Sequence, residues 1–219
     1  MRSGRNESSR MRVDPLVMPA RAPRVAAPRS PTVPVRLAVP GRILLLVAGL
    51  PGAGKSTLVA GLPAAPGVLV LDSDVQRDVL RRVLPGVAYR YYRPFVHLLH
   101  RLAVLRAAVS AVPTVVVHLP ATGGATRAVV ALLATLTGRI AHLLWLHVEP
   151  ADALRSQSER GRIVPAASFA AHAERAASTT ALLRSGVPPR GWRSVTVLDR
   201  AGADGGLCLD TGARVGEPQ

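Results

Sequence analysis

The sequence predicts an α/β fold with a doubly wound, mostly parallel sheet, and three observations support this prediction. Short apolar runs alternate with helical segments between residues 42 and 199. The first run, residues 43–48, contains no charged residue, as expected for a central parallel strand that is buried on both faces. A glycine-containing loop and a short helix follow that run directly.

The strands are predicted from runs rich in Val and Leu, and several helices from the breakers that stop them. Pro63 ends the first helix, and Pro85 with Gly86 ends the second. The predicted strands are residues 43–48, 68–71, 114–118, 142–148 and 194–198. The predicted helices are residues 56–60, 75–84, 93–111, 125–136, one opening at Glu149-Pro150, and 165–183.

Composition separates the two ends of the chain from this domain. Residues 1–41 carry eight Arg against Glu7 and Asp14, hold seven of the 19 prolines, and predict a disordered basic arm. An alternative is that translation begins at Met11 or Met18. Such an arm could touch nucleic acid, although it lacks the interleaved aromatic residues that stack on bases. Residues 200–219 are predicted to form a weakly ordered tail, with one short hairpin around residues 204–206.

The whole composition excludes several classes of protein. Cys208 is the only cysteine among 219 residues, so neither a disulfide framework nor a cysteine metal site is expected, and a reducing cytoplasm fits. No apolar run reaches the length of a membrane span, so no membrane partner is expected.

The loop after the first strand matches G-x-x-x-x-G-K-[ST], the phosphate-binding P-loop pattern. Its lysine, Lys55, is the only lysine among 28 basic residues, in a chain that otherwise uses Arg. An ammonium reaches phosphate oxygens as a compact charge, and the Ser56 hydroxyl is the expected Mg²⁺ ligand. The residues predicted to bind nucleotide are Gly49, Pro51, Gly52, Ala53, Gly54, Lys55, Ser56 and Thr57.

A second group, Asp72, Ser73, Asp74 and Arg77, lies at the carboxyl end of the second predicted strand, the edge where α/β sheets bind ligands. A carboxylate there could accept the proton of an attacking hydroxyl, and Arg77 could hold the substrate. The alternative is that Asp74 only caps the following helix, or that Asp72 or Ser73 does so.

A third group follows the fourth predicted strand, where Arg155, Arg160 and Arg162 surround a helix end and a glycine-marked loop. Arginines on a lid can stabilise the charge on a transferred phosphoryl group. An ordinary solvated helix end, with cations that suit its dipole, is the alternative. The sequence does not show which of the three arginines would stabilise the transferred group.

These motifs, over residues 42–199, resemble the zeta-toxin, polynucleotide-kinase and chloramphenicol-phosphotransferase group of P-loop kinases, and above all the AAA family ATPases of high-GC bacteria. The resemblance implies a P-loop NTPase three-layer sandwich with five parallel strands in the order 2-3-1-4-5. It also implies binding of ATP and Mg²⁺ and phosphoryl transfer to a hydroxyl. By this likeness Asp74 matches the general base of D-x-x-R, Arg77 matches the acceptor-binding arginine, and Lys55 is catalytic.

One position departs from that group, in which the third strand commonly ends in an Asp that supports Mg²⁺ or substrate. Here His118 takes its place, so Asp72 or Asp74 would have to support the metal alone. The other histidines that we considered, His97, His100 and His172, are predicted to be surface or groove residues rather than metal ligands.

The leading functional hypothesis is an ATP-dependent kinase of a hydroxyl on a small molecule or nucleotide. A polynucleotide 5′-hydroxyl kinase is one rival, which Arg93, Arg101 and Arg106 would favour. An ATP-binding regulatory or interaction module without transferase activity is the other, and it is consistent with His118.

Overall fold

Seven strands lie in the residues that the computed structural model describes, 33–63, 65–161 and 164–212. They are β1 (Val35–Ala38), β2 (Ile43–Gly49), β3 (Val68–Leu71), β4 (Thr114–His118), β5 (Ile140–Leu146), β6 (Ser194–Leu198) and β7 (Leu207–Asp210). Five of them form a parallel sheet in the order β3-β4-β2-β5-β6. Counted from Ile43, this is the predicted order 2-3-1-4-5, and the predicted fold class is confirmed.

Helices alternate with the strands of the five-stranded sheet, and several of them pack against it. They are α1 (Lys55–Ala60), α2 (Ser73–Val83), α3 (Tyr89–Val109), α4 (Gly124–Leu136), α5 (Pro150–Glu159), α6 (Ala166–Arg184) and α7 (Arg200–Asp204). All seven residues of β2 are buried, as its uncharged sequence predicts for the central strand. None of the described helices combines the length and the apolar composition needed to cross a bilayer.

The ends of the domain differ from the prediction. The predicted arm extended to residue 41, but β1 lies within it and pairs in parallel with β7 in a separate two-stranded sheet. The predicted hairpin around residues 204–206 is wrong, because α7 occupies residues 200–204 and β7 pairs with β1 instead. A strand of four residues is too short to show a clear alternation of apolar and polar residues, and the sequence does not indicate a distant partner. Residues 1–32 of the predicted arm lie outside the described residues.

Arg139 holds the amino-terminal side of the sheet together, although nothing in its sequence context marks it. Its side chain is buried and donates hydrogen bonds of 2.7–3.1 Å to five main-chain carbonyls. They belong to Ala107, Ala108, Ser110, Pro113 and Ile43. Three of these carbonyls lie at the C-terminal end of α3, where unpaired acceptors attract a cation. The guanidinium therefore joins that helix end to the sheet.

We expect a chain that lacks residues 1–41 to melt at a lower temperature than one that lacks residues 1–32. Only the longer deletion removes β1 together with Val39, whose side chain is buried in the core. Losing that burial costs about 2 kcal/mol or more, which lowers the melting temperature by roughly 5 °C. Thermal unfolding of both truncations checks this, and equal melting temperatures would show that the β1–β7 sheet adds no stability.

Candidate active site

The P-loop packs so closely against its neighbours that only glycine fits at two positions. Gly49 and Gly52 have φ values of 146° and 90°. A Cβ on Gly49 would lie 2.4 Å from the Leu146 carbonyl oxygen, and one on Gly52 would lie 2.3 Å from the Ala153 carbonyl oxygen. Because β5 and α5 occupy that space, side chains at these positions would displace the loop. Gly54, with φ of 96°, faces open space instead.

Lys55 is buried, and its ammonium folds back onto the loop. Its Nζ donates to the carbonyl oxygens of Gly49 at 3.0 Å and Leu50 at 2.7 Å. Burial, followed by the charge of Arg160, lowers the pKa of Lys55 to about 7, and only Asp72 acts in the other direction. Two basic side chains thus lie close together in a partly buried site, and a polyanion such as a triphosphate would favour the charged form of Lys55.

A cavity of about 250 Å³ opens at the loop. The residues that line it include Gly52, Gly54, Lys55 and Ser56 of the loop, together with His118, Gln157 and Arg160. Ser73 and Tyr89 also line the cavity. The glycine cradle, the ammonium, the Ser56 hydroxyl and the Asp72 carboxylate beside it make a donor set that fits a nucleotide phosphate with Mg²⁺.

Asp72 lies between β3 and α2, and it contacts both the helix and His118. Its Oδ1 accepts a hydrogen bond of 3.0 Å from the Asp74 main-chain N–H, so Asp72 is the residue that caps α2. Its Oδ2 lies 2.9 Å from His118 Nδ1, within ion-pair distance, although the ring is not oriented for a regular hydrogen bond. Burial alone would raise the pKa of Asp72, but His118, the Asp74 N–H and the Ser56 hydroxyl together lower it to about 2. The carboxylate is therefore ionised and adjacent to Ser56.

Asp74 and Arg77 lie in α2, beyond Asp72 in the sequence. Asp74 is in the first turn of α2 and is half-buried, and neither residue is among those that line the cavity. The Arg77 guanidinium lies 4.5 Å from the centre of the Tyr89 ring, which does line it. Arg77 thus approaches the site through Tyr89, which had no predicted role.

The three predicted lid arginines have different surroundings. Arg160 follows α5 and lines the cavity, while its Nε donates to the Ser156 carbonyl at 3.1 Å. Arg155 is exposed and forms an ion pair with Asp152 on the same helix. Arg162 lies outside the described residues. Among the described arginines of this lid, Arg160 is the one that faces the P-loop.

Gln157 on α5 connects the P-loop to the chain at Val164 through hydrogen bonds, a role that we did not predict. Its buried amide donates to the Pro51 carbonyl oxygen at 2.9 Å and accepts from the Val164 N–H at 3.0 Å. Ala153, Ser156 and Gln157 form the buried face of α5. Their spacing of three and four residues is a signal that could have identified Gln157 as inward-facing.

The predicted surface or groove histidines also differ from one another. His97 is exposed and accepts a hydrogen bond of 3.2 Å from Arg93 Nε. His172 Nδ1 lies 2.8 Å from Thr122 Oγ1. His100 is only 2% exposed, so burial rather than a surface position describes it.

Comparison with known proteins supports the fold and the motif. The profile of the AAA domain family matches residues 44–182. A structure from the PezAT chromosomal toxin–antitoxin system of Streptococcus pneumoniae is similar over 74% of this chain and 68% of its own, with 15% identity and a TM-score of 0.51. A protein from Chloroflexus aurantiacus, provisionally described as a kinase, is similar over 79% and 88%, with 16% identity and a TM-score of 0.55. No curated protein matches this sequence.

Proposed function

This chain belongs to the AAA domain family, and we propose that it is an ATP-dependent kinase that phosphorylates a hydroxyl of a small molecule or nucleotide. The observation that carries the proposal is the buried Lys55, which lines one cavity together with Arg160, Ser56 and two glycines of the P-loop. The narrower kinship with zeta toxins, polynucleotide kinases and chloramphenicol phosphotransferases is part of the same proposal.

The P-loop residues hold the phosphates in this scheme. The loop N–H groups and Lys55 bind the β- and γ-phosphates, while Ser56 and Asp72 hold Mg²⁺. When bound, Mg²⁺ neutralises charge on the phosphate oxygens. The contact of Asp72 with His118 favours the ionised carboxylate, which is the form that a metal requires.

The acceptor is held on the α2 and α3 side of the cavity. Ser73 and Tyr89 line that side, and Arg77 stacks on Tyr89, so an acceptor that contacts the tyrosine also comes close to the guanidinium. Asp74, one residue beyond Ser73, accepts the proton of the attacking hydroxyl. Arg160 stabilises the charge that develops on the transferred group.

We expect Arg160→Ala to lower turnover on the order of 10²-fold, because only Arg160 of the two described lid arginines lines the cavity. Arg155→Ala is the matched control, since it removes the same charge from the same lid where the side chain pairs with Asp152. Steady-state phosphoryl transfer by both variants makes the measurement. Equal losses in the two variants would contradict the assignment of Arg160.

The activity is tested by incubating the purified protein with ATP, Mg²⁺ and a panel of hydroxyl compounds, with mass spectrometry to detect an added phosphate. The panel includes sugars, nucleosides, aromatic alcohols and an oligonucleotide with a free 5′-hydroxyl. Phosphate on a small molecule supports the proposal. Phosphate on the oligonucleotide alone, with an affinity that falls steeply with salt, favours the polynucleotide kinase.

The structure offers little to favour the polynucleotide rival. Arg93, Arg101 and Arg106 are all exposed on α3. At 3.6 residues per turn, however, Arg106 projects roughly 140° away from Arg101. They do not form one basic stripe along which a strand could lie.

A second candidate, an ATP-binding module without transferase activity, rests on His118. The His118 ring lies 2.9 Å from Asp72 and takes up part of the charge that Asp72 would offer to a metal. In that case no compound in the panel gains a phosphate, while ATP still raises the melting temperature. If a His118→Asp variant then gained Mg²⁺-dependent phosphoryl transfer, His118 would be the residue that prevents catalysis in the wild type.

A further inference from the structure

A second cavity, larger than the one at the P-loop, lies between α3 and α4. Its volume is about 580 Å³, against about 250 Å³ for the P-loop cavity, and the two linings share no residue among the described parts of the chain. Most of the second lining is apolar: Val104, Leu105, Leu119, Val129, Val130 and Leu133. Its volume is typical of small-molecule sites.

The basic or titratable residues of this lining are His97, His100 and Arg101, and Thr126 is an uncharged polar residue beside them. None of the described residues that line it is acidic. On α3, His100 and Arg101 precede the apolar lining residues Val104 and Leu105 by about one turn, and His97 precedes them by about two. The cavity therefore has an apolar portion and a polar portion, in which Arg101 carries the positive charge.

His100 has no partner for its ring in the part of the chain that the structure describes. It is 2% exposed, and neither ring nitrogen makes a hydrogen bond of regular geometry there. Burial is the largest influence on its pKa and lowers it; the Asp72 carboxylate opposes that shift, as does the main chain of His118, which is not aligned as a hydrogen-bond partner. A neutral imidazole offers one donor and one acceptor, and leaving both unmet while buried costs free energy. A ligand in the cavity would meet that need.

We propose that the cavity between α3 and α4 binds a small molecule with an apolar body and one carboxylate group, separately from the nucleotide. The apolar lining takes the body. Arg101 and a donor nitrogen of His100 take the carboxylate. No acidic side chain is among the described residues that line the cavity, and the Asp72 carboxylate, which raises the pKa of His100, lies outside that lining. This site does not depend on the proposed kinase activity.

The buried histidine favours a small molecule over a protein surface. Leu105 and Val129 at the rim are 48% and 65% exposed and could contact any apolar partner. His100 is instead almost fully enclosed, so a group that reaches its ring has to enter between the helices. A compact ligand does this more readily than the face of a folded protein.

Decanoate is the probe, and decanol and decyltrimethylammonium have the same chain with a neutral or a cationic head. Isothermal titration with the full-length protein is expected to show one decanoate site per chain. Decanol should bind about tenfold more weakly, which corresponds to losing one charge-assisted hydrogen bond, and the cation weaker still. No binding of decanoate, or equal binding of all three probes, would overturn the proposal.

Two matched pairs of variants locate the site. Ala125→Trp fills the cavity from its exposed edge on α4 and should abolish decanoate binding, whereas Ala128→Trp, exposed on the same helix outside the lining, should not. Arg101→Gln should bring decanoate and decanol to similar affinities, whereas Arg106→Gln should leave their difference intact. Far-ultraviolet circular dichroism confirms that each variant is folded, and the arginine pair tests the site on its own if Ala125→Trp does not fold.

Light scattering in the same samples tests the remaining alternative, in which a second copy of this chain occupies the groove. If the wild type is a dimer, Ala125→Trp is a monomer and decanoate does not bind, then the groove is an interface between two copies of this chain. That result would overturn the small-molecule site. Decanoate binding that Ala128→Trp also loses would place the ligand elsewhere and overturn it as well.

Discussion

Lys55→Ala is expected to abolish the rise in melting temperature that ATP and Mg²⁺ produce in the wild type. A nucleotide at 100 times its dissociation constant stabilises the native state by about 2.7 kcal/mol. For a domain of this size that corresponds to roughly 5–10 °C. The variant loses the ammonium that meets the β- and γ-phosphates, so its melting temperature should not respond to ATP.

The variant without nucleotide should remain folded. Lys55 is a buried cation with a pKa lowered to about 7, so its charged form costs free energy in the native state and removing it relieves that cost. Arg184→Ala, at the exposed end of α6, is the charge control and should keep the full response to ATP. AMP, which lacks the β- and γ-phosphates, should stabilise the wild type much less. A wild type that ignores saturating ATP and Mg²⁺ would contradict nucleotide binding altogether.

The parts of the fold that the sequence predicts well are those with a strong local signal. An uncharged run of six residues followed by glycines and a lysine has few other interpretations, and β2, the P-loop and Lys55 lie where it predicts. The strand order followed from the resemblance and is confirmed by the hydrogen-bonded pairing. The β1–β7 pair has no comparable signal, because each strand is short and its partner lies about 170 residues away.

Contacts between distant side chains explain what the sequence could not predict at the site. That His118 would lie 2.9 Å from Asp72 depends on β3 and β4 being neighbours with both residues at the same edge. The difference between Arg155 and Arg160 depends on which side of α5 meets the loop. The hydrogen bond from Gln157 to the P-loop depends on α5, which approaches Gly52 closely enough to exclude any side chain there. Each is a tertiary arrangement, and no single segment encodes it.

In the kinase that we propose, Asp72 and Asp74 have different roles, so changing each to asparagine should have different effects. Asp72→Asn keeps a good capping residue at the start of α2, because Asn caps helices about as well as Asp, so the change removes a charge rather than the helix. The charge it removes is the one beside Ser56 and His118. We therefore expect Asp72→Asn to raise the Mg²⁺ concentration needed for ATP to stabilise the protein.

Asp74→Asn should instead lower turnover on the order of 10²–10⁴-fold while the ATP-dependent melting shift stays close to that of the wild type. Asp74 lies in the first turn of α2 and is not among the residues that line the P-loop cavity. In the proposed mechanism it receives the acceptor's proton and does not bind phosphate. Titrating Mg²⁺ against both variants distinguishes the roles, because a metal ligand raises the Mg²⁺ requirement and a general base does not. Arg77→Ala, which leaves both carboxylates in place, should raise the acceptor's KM with a smaller effect on ATP. Unchanged turnover in Asp74→Asn would exclude it as the base and transfer that role to Asp72, which is already ionised and lies one residue from Ser73 at the cavity.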